Sequence, residues 1–88
     1  MKSWLKRFFE RNPNREVELT GYSPEWVLSV LSELGWNKGD SFWGSDLEIL
    51  HFHKTEKEVF VLVETYFDPR ISGAEEDVEE IWSGLEIN

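Results

Sequence analysis

Residues 46–67, DLEILHFHKTEKEVFVLVETYF, decide the fold of this chain. Two runs rich in apolar residues flank a short polar link, Lys54-Thr55-Glu56-Lys57. Two strands joined by so short a link pair as an antiparallel hairpin. In the first run, residues 46–53, Leu47, Ile49, His51 and His53 share one side, and Glu48, Leu50 and Phe52 the other. In the second, residues 58–67, Val59, Val61 and Val63 share one side, while Phe60, Leu62 and Tyr66 line the opposite one. A strand apolar on both faces is covered on both faces. The second run therefore belongs in the middle of a sheet, and each side of that sheet needs a cover.

The covers are legible on either side of the hairpin. Residues 24–34 read as a helix with matched start, face and stop. Ser23 is a favourable N-cap, Pro24 suits the first helical position, and Tyr22 can staple onto Val27. Trp26, Val27, Val30, Leu31 and Leu34 form its apolar stripe, Gly35 follows where a left-handed C-cap residue belongs, and Trp36 folds back on the last turn. Residues 73–83 read as a second such helix, capped by Ser72. Its first turn holds Glu75, Glu76 and Asp77, which favour the helix dipole. Ala74, Val78, Ile81 and Trp82 form its stripe, Gly84 ends it, and Leu85 and Ile87 anchor the tail. Asp68, Pro69 and Arg70 break the preceding strand.

Residues 3–11 carry Trp4, Leu5, Phe8 and Phe9 as one stripe, with Lys2, Lys6, Arg7 and Arg11 mostly opposite, and Asn12-Pro13 as the stop. Residues 16–20 alternate as a short strand, with Val17 and Leu19 on one side. Residues 37–45 are rich in turn formers and read as a loop. The expected order is α-β-α-β-β-α. It makes an α+β fold with a three-stranded, mainly antiparallel sheet, two helices on one face, and the N-terminal helix on the other face or detached.

At 88 residues the chain is of single-domain size. Residues 1–15 form a basic amphipathic helix and link, and residues 16–88 an acidic α+β domain. A domain this small buries only about 60–65% of its unfolded surface. Five Trp, six Phe and two Tyr let few residues supply the core. No cysteine is present, which removes disulfides, thiolate chemistry and Cys-based zinc sites and fits a cytoplasmic location. The longest apolar run, residues 59–63, is far too short to span a membrane, and residues 1–15 lack the apolar core of a signal peptide.

Charge is divided unevenly. Residues 1–15 hold five Lys and Arg against one acid, and residues 16–88 hold four against seventeen, within a net charge of −9. An anionic body of this kind repels nucleic acid and steers a basic protein partner. The candidate partner-binding residues are the acids Glu75, Glu76, Glu79 and Glu80, and the aromatic residues Trp36, Phe42 and Trp43, which stand in or beside the turn-rich stretch. The expected function is a small non-catalytic protein-binding module, with the physical profile of an inhibitor or immunity-type protein for a basic partner.

Three alternatives stand beside it. Trp4, Leu5, Phe8 and Phe9 form either a packing face on the sheet or the apolar face of a helix anchored at a membrane surface. A homodimer could bury the second sheet face. His51 and His53 place two imidazoles on one strand face, the start of a metal site for a small metalloenzyme, but zinc needs further ligands, for which Asp40, Asp46 and Glu58 are nearest. No phosphate-binding glycine motif and no nucleophile elbow occurs. Neither catalysis nor a cofactor is expected.

Overall fold

The computed structural model describes residues 3–10 and 15–87. Its elements are α1 (Ser3–Glu10), β1 (Arg15–Glu18), α2 (Pro24–Glu33), β2 (Asn37–Trp43), β3 (Leu47–Lys54), β4 (Lys57–Glu64), β5 (Arg70–Gly73) and α3 (Glu75–Ile87). The strands form one antiparallel sheet in the order β1-β5-β4-β3-β2. The fold is α+β, but the sheet has five strands rather than three. The two additions are β2, from the stretch read as a loop, and β5, from the stretch read as a break and a helix cap. The expected stop at Asn12-Pro13, and Lys2 and Arg11 of the basic side, lie outside the described residues.

β3 and β4 form the hairpin, with Lys54 opposite Lys57 and Leu50 opposite Val61. Two residues make the turn, and Thr55 takes a φ of 57° there. Both central strands are covered on both sides. Toward one face, Leu50, Phe52, Val59, Val61 and Ile71 pack against Val27, Val30 and Leu31 of α2 and Val78, Ile81 and Leu85 of α3. Toward the other, Ile49, Phe60 and Leu62 pack under Trp4, Leu5 and Phe8 of α1. α1 is thus docked on the sheet. Its Phe9, placed by sequence in the same stripe, is 62% exposed.

Local chemistry explains the helix ends. Ser23 Oγ accepts a hydrogen bond from the Trp26 amide at 3.2 Å. At the other end, Gly35 has a φ of 91°. The Trp36 amide donates to Leu31 O and the Gly35 amide to Ser32 O, the two bonds of a Schellman cap. Lys54 Nζ satisfies the last exposed carbonyl, Leu34 O, at 2.8 Å.

α3 departs from expectation at both ends. Ser72 is a buried β5 residue facing Phe60 and Glu16 across the ladders, and α3 begins only at Glu75. Gly84 does not stop the helix; it lies inside it. A Cβ there would stand 3.0 Å from Leu34 Cδ1 and 3.2 Å from Val30 Cγ1, so glycine lets α2 and α3 approach. The helix continues through Leu85, which is buried, to Ile87, which is exposed and anchors nothing.

Candidate functional site

Two concave regions lie at opposite ends of the sheet. The first, at the β3–β4 turn, is an open groove of about 330 Å³ lined by Arg7, His51, His53, Thr55, Glu56, Lys57 and Glu58. Glu58 organises it. Arg7 of α1 donates to its carboxylate from Nε and Nη2, both at 3.0 Å at their shortest. His51 Nε2 lies 2.9 Å from Glu58 Oε1. Burial alone would raise the pKa of Glu58, but its bonds to Arg7 and then His51 outweigh that and hold it below the usual carboxylate range. The same contact with Glu58 raises Arg7 above its ordinary value. An ionised carboxylate only accepts, so His51 Nε2 carries the proton it shares.

His51 also stacks on Trp4, with ring centroids 5.3 Å apart and planes 6° from parallel. It contacts Phe60 at 5.5 Å and His53 at 6.0 Å. The groove therefore fastens α1 to the hairpin. A general base needs a carboxylate whose pKa is pushed up toward neutrality, and Glu58 is pushed the other way. Among the described residues, no three His, Asp or Glu side chains converge as metal ligands. His51 and His53 share a face, but Asp40 and Asp46 do not join them around a common point.

The second region is the opposite end, where the β2–β3 turn and the end of β4 meet. The Thr65 amide donates to Asp46 O at 3.1 Å, which ties the two together. A recess of about 150 Å³ is lined by residues of both, including Trp43, Asp46, Glu48, Val63 and Thr65. Trp43 stands opposite Glu48, and Glu48 opposite Val63, so the three share a face. Trp43 is 72% exposed, Tyr66 85% and Phe67 63%. Solvent-facing aromatic rings gathered at one end of a small domain are unusual in the absence of a partner. The turn and strand ends that build this end carry the acids Asp46, Glu48, Glu64 and Asp68, against one cation, Arg70, which opens β5 opposite Leu62.

The three aromatic residues singled out in sequence part company. Trp36 is a core residue, 3% exposed, and is not available to a partner. Phe42 faces the other side of the sheet and packs beside the α1 cluster. Only Trp43 faces solvent. Tyr66, read as part of a strand face, lies beyond the end of β4, and Phe67 was missed. The signal for both was available in T-Y-F-D-P, a turn sequence carrying two aromatics.

On α3, Glu75, Glu76, Glu79 and Glu80 are exposed, as their spacing indicates. Two are engaged within the chain, Glu79 with Arg15 at 3.2 Å and Glu80 with Lys54 at 3.5 Å. Asp77 is buried with Lys57 Nζ at 3.6 Å. The helix face is thus partly neutralised by the protein itself. In comparisons with known proteins, the chain matches no family model, no curated protein and no solved structure.

Proposed function

We propose that this chain is a non-catalytic binding module for a basic protein partner, docking through the end of the sheet that carries Trp43, Tyr66 and Phe67. The coincidence of exposed aromatics with a local excess of acids, Asp46, Glu48, Glu64 and Asp68 against Arg70 alone among the described residues, supports this reading. Exposed aromatics provide area that a partner desolvates, and interface hot spots are rich in Trp and Tyr. The acids speed encounter with a cation-bearing surface and discourage anionic competitors. Binding that occludes a basic active surface would make the module an inhibitor, and the cysteine-free composition suits a cytoplasmic setting.

The packing of α1 weighs against the membrane alternative. Its Trp4, Leu5 and Phe8, the residues a bilayer would receive, are spent on Ile49, Phe60 and Leu62. They also occupy the sheet face that a homodimer would have to bury. Among the described residues, no helix is long and apolar enough to cross a membrane.

The test is binding kinetics on partners captured from the source cell at low salt. A partner of the expected kind associates more slowly as salt rises, because steering is screened over a Debye length of about 8 Å at physiological ionic strength. Trp43→Ala raises its dissociation rate about tenfold or more while sparing association. Captured partners that are acidic, or whose binding is indifferent to both salt and Trp43, sink the reading.

A further inference from the structure

The aromatic end adjoins an open strand edge. β2 is one of the two edge strands of the sheet, with β1 at the far edge. In an antiparallel pair, residues alternate between exchanging hydrogen bonds with the neighbouring strand and pointing their backbone groups away from it. The Gly44 amide donates to Leu47 O at 2.7 Å, which sets that alternation. Phe42, two residues back and opposite Ile49, therefore turns its N–H and C=O toward β3. Trp43 and Ser41 turn theirs outward, where no strand of the described residues lies. Further along, the ladder shifts register between Lys38 and Ser41. A bulge flanked by charged residues, here Lys38 and Asp40, is a common device against pairing at an edge. The edge is therefore guarded in its first half and open in its second.

We infer that the partner supplies an extended segment that adds as a sixth strand along Ser41–Trp43, placing a Lys or Arg side chain over the Trp43 indole with its charge in the recess of Asp46 and Glu48. This rests on the proposed function and specifies the partner's form. A residue directly beside Trp43 shares its face, because neighbours across a ladder project to the same side. Glu48 is the next residue on that face, directly across from Trp43. A long cationic side chain lying on the indole thus ends at the carboxylates, combining cation–π contact with an ion pair. The next residue of the segment projects to the opposite side, beside Phe42, where an apolar side chain extends the cluster under α1. The residue after that lies beside Ser41, a small side chain that leaves room. The preferred segment reads basic, apolar, unrestricted.

A second copy of this chain is the wrong occupant. Pairing β2 with β2 would bring Asp40, Asp46 and Glu48 of both copies together, each copy having a net charge of −9. Lys38 is the one cation on the strand, and it sits beyond the bulge.

The probe is a displayed library of random nine-residue peptides selected on the full-length protein. Enrichment of a Lys or Arg next to an apolar residue is expected, with slowed amide exchange at Ser41 and Trp43 on binding. Synthetic copies of an enriched peptide, N-methylated at one position at a time, separate the readings. In strand addition, methylation at alternate positions weakens binding about tenfold or more while the intervening positions tolerate it, because only alternate N–H groups face β2. Trp43→Ala and Glu48→Gln each weaken the same peptide about tenfold. If basic peptides depend on Trp43 and Glu48 but show no alternation and protect neither amide, strand addition is wrong and the proposed function stands. If no enriched peptide depends on Trp43, both fall. Sedimentation showing a dimer that competes with peptide would give the edge to a second copy and overturn the inference.

Discussion

Phe8→Ala tests whether α1 belongs to the cooperative fold. An isolated helix of eight residues does not persist in water, so α1 is helical only while docked. Phe8 is 4% exposed and meets Phe60 edge to face, with centroids 5.2 Å apart and planes at 70°. A phenylalanine buries about 150–200 Å², worth about 4–5 kcal/mol at roughly 25 cal/mol per Å². The ring pair adds about 0.5–1 kcal/mol. Two terms reduce the loss. Alanine is the better helix former by about 0.5 kcal/mol, and the vacated space lies under a single helix, where the fold can partly close. A net loss of about 3 kcal/mol remains, a large share of the stability of a domain this size. The control is the neighbouring residue. Phe9 contacts Phe8 at 5.3 Å but is mostly exposed, so Phe9→Ala should cost under about 1 kcal/mol. Urea unfolding followed by tryptophan fluorescence and far-ultraviolet dichroism measures both. A loss below about 1 kcal/mol for Phe8→Ala, or equal losses for the two, would show that α1 does not dock by this face.

Three further predictions concern other joints. Thr55 takes a positive φ at the first position of a two-residue turn, the place where a type II′ turn prefers glycine; Thr55→Gly should raise stability by about 1 kcal/mol in thermal melts, and a loss would mean that the turn is not strained. Glu58 has a folded pKa below its unfolded value, so its contribution is present above the ordinary carboxylate range and vanishes as pH falls through the folded pKa. Arg7 is half exposed, so Glu58→Gln should cost only about 1 kcal/mol or less at pH 7, and the gap between variant and wild type should close on acidification; a gap that widens refutes the clamp. Gly84→Leu places a side chain against Leu34 and Val30 and should cost about 2 kcal/mol or more, whereas a neutral outcome would mean that α2 and α3 do not cross there.

What could be read from the sequence follows where each element gets its stability. α2, β3 and β4 are specified by their own side chains, through cap, stripe and alternation, so their sequence announces them. β2 and β5 are specified by neighbours. Asn37–Trp43 contains Gly39 and Asp40, both poor strand formers, and as an edge strand it has no buried stripe to display. It is a strand because β3 offers it backbone partners. β5 has one fully buried apolar residue, Ile71, and is held from both sides by β1 and β4. Four residues following a proline give no pattern to find. Gly35 and Gly84 both looked like helix stops, because a left-handed cap and a close helix crossing demand the same missing Cβ. The candidate site was half legible for the same reason. The exposed position of Trp43 follows from the strand that sequence concealed, whereas the buried one of Trp36 follows from the cap that folds it back on α2.

Charge placement decides which acids can steer a partner. Three cations gather at the β3–β4 turn: Arg7 on Glu58, Lys57 on Asp77, Lys54 on Glu80. The α3 acids therefore sit at the end where positive charge is available. β4 spans eight residues, so that end and the aromatic end lie about 23 Å apart at 3.3 Å per residue. This is nearly three Debye lengths at physiological salt. A charge on the first turns of α3 would then be screened from a partner docking at Trp43 as proposed, while Glu48 would touch it. Reversing Glu76 and Glu80 together to Lys should change the association rate less than about threefold at 0.15 M salt, and Glu48→Lys alone should lower it about tenfold. At about 0.01 M salt the Debye length grows to roughly 30 Å, and the α3 reversal should then register. Stopped-flow association at the two salt concentrations measures the contrast. An α3 reversal that matters more than Glu48→Lys at 0.15 M would move the docking surface to α3.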